Sequence, residues 1–215
     1  MIVKRFVFND FKVNTYVLVD DKTMQGLVID PGMYYEDEYK IFEQYLESNE
    51  IDLKYIVLTH GHFDHFCGGE KLQSQGVSLM ANQRIMELAS RIDEFAVMFG
   101  INIEYVPSID AELTDNDEII LGDLKLKVIE TPGHCPGHLC LLAEKEKILF
   151  SGDLLFKNTI GRTDLPGADY DALVHSIKDK ILSLKEDYQV MPGHGPQTTI
   201  ADELLNNPFI LNMYG

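Results

Sequence analysis

Apolar residues along this 215-residue chain fall into two rhythms. Short β-branched and aliphatic runs at 2–8, 15–19, 26–30, 55–59, 77–80, 126–133, 139–143, 148–152 and 188–193 are bounded by turn residues and read as strands. Between them, apolar positions spaced by three and four mark helices at 39–48, 64–75, 82–99 and 170–184. In the last of these, Leu173, Ile177, Ile181 and Leu184 make one stripe, and His175 falls off it toward the surface. Met86, Phe95, Met98 and Phe99 of the third are expected in the core, with an apolar pocket wall as the alternative. Strand-rich hairpins with helices segregated from them predict two packed sheets flanked by helices.

Four of the runs share a second feature. Each ends in a small or turn residue and is followed at once by a residue able to bind a metal: 55–59 leads to His60, 126–133 to His134, 148–152 to Asp153 and 188–193 to His194. A rigid sheet that presents groups from loops along one edge is a recurrent way to fix a site. Gly133, Gly152 and Gly193, next to these groups, allow the backbone to turn sharply.

The densest chemistry lies in Thr59-His60-Gly61-His62-Phe63-Asp64-His65, which holds three of the chain's seven histidines and a carboxylate. Imidazole nitrogen and carboxylate oxygen both suit zinc and other first-row divalent ions. At an extended strand end His60 and His62 share a side, whereas adjacent Asp64 and His65 diverge. The spacing therefore aims His60 and His62 at one point and Asp64 and His65 at another, a two-metal arrangement. Asp30, in Val28-Ile29-Asp30-Pro31-Gly32, either braces the His60 loop by accepting hydrogen bonds or starts a turn. His138 is read as support for a ligand and not as a ligand.

Composition narrows the classes. A hydrophobic fraction of 45% and a charged fraction of 25%, with no low-complexity tract or linker, fit one globular domain over 1–215. A net charge of −17 argues against nucleic acid or an anionic membrane as partner. No signal-type or membrane-length apolar stretch occurs, so a cytoplasmic location is expected. Cys67, Cys135 and Cys140 form no Cys-x-x-Cys pair; a disulfide framework is not expected, and Cys135 is read as a small buried thiol.

With T-H-G-H-F-D-H, T-P-G-H, S-G-D and P-G-H-G in this order, the chain resembles the metallo-β-lactamase superfamily over essentially its whole length. The resemblance implies an α/β (α+β) fold in the form of a four-layer αββα sandwich. It further implies that His60, His62 and His134 hold one metal, Asp64, His65 and His194 a second, and that Asp153 bridges them. Two divalent ions per chain follow, zinc first, with iron or manganese also accepted by this ligand set. The segments 161–167 and 193–200, and Asn207-Pro208-Phe209, are similar to short hydroxyacylglutathione hydrolase (glyoxalase II) relatives. Full-length enzymes of that group carry a further helical region with basic residues that hold glutathione; here 21 residues follow His194 and none is Lys or Arg. Such enzymes place a substrate-contacting lysine in a stretch similar to 156–167, where Arg162 is the substrate-binding candidate here, with a local pair to Asp164 as the alternative.

The expected reaction is hydrolysis of a small-molecule acyl thiol, an S-2-hydroxyacylglutathione of the S-lactoyl type, to hydroxy acid and free thiol. A water between two divalent ions loses a proton near neutral pH and attacks as hydroxide, while one ion polarises the carbonyl; Asp64 is the candidate catalytic residue that orients it. A thiolate already leaves well. The alternatives are an enzyme similar to the persulfide dioxygenases, with one iron on residues matching His60, His134 and Asp153, a lactonase or other ester hydrolase, and a non-catalytic metal-binding module.

Overall fold

The computed structural model describes residues 1–91 and 105–213. Its first sheet has six strands in chain order: β1 (Ile2–Phe8), β2 (Val13–Val19), β3 (Gln25–Ile29), β4 (Asp52–Val57), β5 (Ser78–Ala81) and β6 (Ala111–Glu112). The second is built from β7 (Glu118–Leu121), β8 (Leu124–Glu130), β9 (Leu139–Ala143), β10 (Ile148–Gly152), β13 (Gln189–Pro192) and β14 (Thr198–Thr199), ordered β14-β13-β10-β9-β8-β7. Between β10 and β13 in the chain, β11 (Leu155–Phe156) and β12 (Thr159–Ile160) form a small hairpin.

The side-chain alternation of these strands sorts the apolar residues into three layers. Tyr16, Leu18, Leu27, Ile29 and Val57 face Leu126, Val128, Leu139, Leu141 and Phe150 in the seam between the sheets. The outward residues of the first sheet, Val17, Val19, Val28, Ile56 and Leu79, pack with Phe42, Phe66 and Leu72 from α1 (Glu36–Ser48), α2 (Phe63–Phe66) and α3 (Gly69–Ser74). Ile129, Cys140, Leu142, Leu149 and Val190, outward on the second sheet, pack with Leu173, Ile177, Ile181, Ile200 and Ile210 from the C-terminal helices. Strand β9 is buried throughout, which is why its sequence is continuously apolar instead of alternating. At about 1.5–3 kcal/mol for each large side chain fully removed from water, these layers hold the sheet edges rigid.

This is the αββα sandwich expected. Details differ from the periodic reading where packing overrides propensity. The run at 64–75 splits into α2 and α3 because Gly68 presses against the 31–33 turn: its N–H donates to Pro31 O at 2.8 Å, and a Cβ there would meet the same oxygen. At 82–99 the chain makes a 3₁₀ turn and the short helix α4 (Met86–Ala89); Phe95, Met98 and Phe99 lie outside the described residues. The helix α5 (Tyr170–His175) widens into a π-type turn over Ser176–Ile181, keeping Leu173, Ile177 and Ile181 buried. Among the described residues no helix is long and apolar enough to cross a membrane.

Strand direction positions the site. Strand β9 is antiparallel to both β8 and β10, and β10 is parallel to β13, so β8, β10 and β13 all end at one edge. In the first sheet β3 and β4 are parallel and end together. The sheets meet at this edge through Leu139 N–H to Thr59 O at 2.7 Å and Tyr16 O–H to Pro192 O at 2.8 Å.

Candidate metal centre

At that edge the four runs deliver His60, His134, Asp153 and His194, while His62, Asp64 and His65 lie just before and within α2. All seven residues singled out in the sequence come together. The potential ligand atoms of His60, His62 and His134 lie within 4.8 Å of one another, as do those of Asp64, His65 and His194. The Asp153 carboxylate sits between the two groups. Its Oδ2 is 3.7 Å from His134 Nε2, 4.0 Å from His60 Nε2 and 3.4 Å from His194 Nε2, and its Oδ1 is 3.6 Å from His65 Nε2.

Hydrogen bonds on the far side of the rings decide which nitrogen faces inward. Thr59 O–H donates to Asp30 Oδ2 at 2.6 Å, so it accepts from His60 Nδ1 at 2.9 Å. His65 Nδ1 donates to Asp30 Oδ2, His134 Nδ1 to Arg162 O and His194 Nδ1 to Phe11 O, each at 2.9 Å. Four Nε2 atoms therefore face the centre. They are crowded: His134 Nε2 lies 2.9 Å from His62 Nδ1, and His65 Nε2 lies 3.1 Å from His194 Nε2. Two ligands about 2.0–2.1 Å from one tetrahedral ion lie about 3.3 Å apart, close to these spacings. His60 Nε2 and Asp153 Oδ1 are also fully buried with no hydrogen-bond partner, a cost normally avoided unless an ion or water satisfies them. The residues present thus fit divalent cations.

The two groups differ electrically. Burial, reinforced by neighbouring imidazoles, pushes His60 well below its usual pKa and His62 down to about 3; burial also lowers His134. In the other group burial opposes the charged forms, but attraction between the carboxylates and the imidazoles overrides it. His194 is pushed up to about 11 and His65 is raised by Asp153, Asp64 and Asp30, while Asp64 and Asp153 are held below the usual carboxylate range. A strong demand for positive charge is concentrated on the Asp64, His65 and His194 side.

Around this centre the structure decides several open points. Asp30 is a brace: besides Thr59 O–H and His65 it accepts Thr59 N–H at 2.8 Å. His138 supports Asp153 from behind through a hydrogen-bond chain. Cys140 S–H donates to Ser151 O, Thr131 O–H donates to Cys140 Sγ, and His138 Nδ1 donates to Thr131 Oγ1 at 2.9 Å. That leaves His138 Nε2 to accept Asp153 N–H at 3.1 Å. Cys135 is buried, its thiol pushed up by burial, and outside both groups. His175 is exposed and pairs with Asp179 at 2.6 Å. Arg162 forks onto Asp164 with two 2.7 Å hydrogen bonds, so the local pair is formed; the residue nonetheless borders a cavity of about 360 Å³ whose floor includes His62, Asp64, His134, Asp153 and His194. Sequence reasoning missed the carbonyls of Phe11 and Arg162 as partners of His194 and His134, since a backbone oxygen leaves no side-chain signature.

The profile of the Metallo-beta-lactamase superfamily matches residues 9–194. The chain belongs to the metallo-beta-lactamase superfamily. Among relatives, a Haemophilus influenzae protein named hydroxyacylglutathione hydrolase GloC is 36% identical over 208 residues, covering 93% of each chain. The structure of BLEG-1 B3 metallo-beta-lactamase matches with a TM-score of 0.87 at 33% identity, over 97% of this chain and 99% of that one. TTHA1623, solved in a di-iron-bound form, matches with a TM-score of 0.83 at 31% identity, over 96% of this chain and 100% of the other. As a member of this superfamily the protein is a metal-dependent hydrolase.

Proposed function

We propose that the protein is a di-metal thioesterase that cleaves S-2-hydroxyacyl thioesters, S-lactoylglutathione among them, to hydroxy acid and free thiol. The observation that carries this reading is the Asp153 carboxylate between two ligand groups at the floor of one cavity. Similarity to the protein named GloC supports the choice of thioester. His60, His62 and His134 would hold one ion, Asp64, His65 and His194 the other, with Asp153 shared. Zinc is the first expectation, and the di-iron form of TTHA1623 gives iron a place beside it. Bound there, divalent ions supply Lewis acidity to the acyl carbonyl and acidify water at the cavity floor.

The chain's own residues do the rest. Asp64, held ionised and 3.5 Å from His194 Nε2, presents an acceptor at the floor that orients an attacking water. Leaving thiolate needs no strong general acid. The Arg162–Asp164 pair is exposed to solvent on both sides, so water screens it and the guanidinium is free to exchange onto a substrate carboxylate. Arg162→Ala should raise KM for a glutathione thioester about tenfold with metal content unchanged, because the partner of His134 is the Arg162 carbonyl and not its side chain. Steady-state kinetics beside an uncharged short-chain thioester check this; equal losses on both substrates would make Arg162 structural.

Acidification should empty the two groups unequally. His194 is raised to about 11, so at neutral pH a cation must displace its proton, and affinity on that side falls about tenfold per pH unit; the carboxylates around His65 shift it in the same direction. Burial holds His60 and His62 neutral near pH 6 and shifts His134 in the same direction, so protons compete less for that side. Between pH 8 and pH 5, metal titration should show one ion lost while the other remains, with thioesterase activity following the weaker ion. Loss of both together would contradict the division. Elemental analysis with thiol release from a thioester panel, and oxygen uptake with a persulfide, tests the function as a whole: oxygen uptake without thioester cleavage would replace the thioesterase by a dioxygenase.

A further inference from the structure

The cavity above the centre has two unlike sides. On one, Phe11 and Phe63 meet edge to face with ring centroids 5.2 Å apart, and the Phe156 ring lies 6.3 Å from the His194 ring. Each of these rings is fixed beside the Asp64 and His194 group. Phe63 precedes Asp64 on α2, and the Phe11 carbonyl accepts from His194. Asn9, in the left-handed region at φ 52°, reinforces this by donating to Asp64 O at 3.0 Å and accepting Phe11 N–H at 2.9 Å. Phe156 sits in the β11–β12 hairpin, whose turn is tied down by Asn158 N–H to Glu203 Oε2 at 2.8 Å and Asn207 Nδ2 to Thr159 O at 3.1 Å. The aromatic wall is therefore already formed. On the opposite side, the segment whose carbonyl orients His134 carries Arg162, which among the described residues is the cation of the cavity lining.

An acyl carbonyl held over the floor has two substituents, and this asymmetry gives them different destinations. We infer that the Phe11, Phe63 and Phe156 wall is the acyl-side specificity surface, which takes an apolar, preferably aryl, 2-hydroxyacyl group, while the anionic thiol carrier leaves across Arg162. This rests on the thioesterase reading and specifies its substrate class. A phenyl ring meets three aromatic faces that a methyl group cannot span, and a preformed wall adds little ordering cost. Charge agrees with the assignment: a carboxylate on the acyl side would lie against Asp64 and away from the arginine.

The test compares S-lactoylglutathione with S-mandeloylglutathione, which differ only in methyl against phenyl, on the metal-loaded protein. The phenyl substrate should have a kcat/KM about tenfold higher. Phe156→Ala should lower the phenyl substrate's kcat/KM more than the methyl substrate's and bring the ratio to about one, with metal content intact; His175→Ala should leave the ratio as in wild type. A second measurement needs no turnover: mandelate should bind the protein about tenfold more tightly than lactate by calorimetry, and Phe156→Ala should abolish the difference. If both thioesters are cleaved without preference and the two acids bind alike, the inference is overturned and the thioesterase stands. If neither thioester is cleaved but mandelate still binds preferentially through Phe156, the thioesterase falls and the aromatic subsite stands. Equal losses on both substrates in Phe156→Ala would also overturn the inference.

Discussion

Asp153→Ala should strip the protein of at least one of two ions and lower kcat/KM for a thioester by about a thousandfold or more. The reason is position: one carboxylate faces His60 and His134 on one side and His65 and His194 on the other, so its loss weakens both groups where any single histidine weakens one. The metal-free fold should survive. The Asp153 backbone N–H, not its side chain, donates to His138 Nε2 at the end of the support chain, and Oδ1 is already a buried oxygen without a partner. Elemental analysis, steady-state rates and thermal melting of the metal-free form measure the three quantities, with exposed His175→Ala as the control expected to match wild type. A variant that keeps both ions, or a His175 variant equally impaired, would sink the assignment.

Gly193→Ala should be nearly as damaging, although it removes no ligand. A Cβ at Gly193 would run into Asp153 Oδ1 and approach His65 Cε1 to 2.8 Å, pushing the carboxylate out of the gap between the groups. The expected result is about a hundredfold loss of activity with one ion released. Gly76→Ala is the matched comparison, because its φ of +88° strains an alanine while its surroundings are open. That change should cost about 1–2 kcal/mol of stability and leave metal content untouched. Metal analysis beside denaturant melts separates the two; retention of both ions in Gly193→Ala would show that the carboxylate has room to move aside. The need at Gly193 is thus space alone, whereas Gly133 and Gly152 combine a positive φ with the same lack of room.

The layers were legible in the sequence because the strand runs are continuously apolar where a strand is buried on both faces, as in β9. The seven clustered residues were legible because each follows a strand run or belongs to one dense segment. Strand β7 was overlooked despite a turn signal at Gly122-Asp123, since it is short and Ile120 points into solvent. Helices α6 (Ile200–Asn206) and α7 (Pro208–Met213) were also missed: each spans two turns or fewer, too short for a periodic stripe. Asp30 could not be assigned between brace and turn because its partner Thr59 lies 29 residues away and is brought alongside only by the parallel pairing of β3 and β4. The Arg162–Asp164 fork, two residues apart, was foreseeable as one of two options.

The outward-facing nitrogens of the four histidines have a broader mechanical meaning. They anchor the centre to the ends of β3 and β4 in one sheet, to the hairpin tip between β1 and β2, and to the segment after β12 that belongs with the other sheet. A cation held by this set acts as a clasp across the open mouth of the sandwich. Cohesion between the layers and grip on the ion then become one quantity, and a packing change deep in the seam, at Phe150 or Leu139, is transmitted to the mouth as altered metal retention.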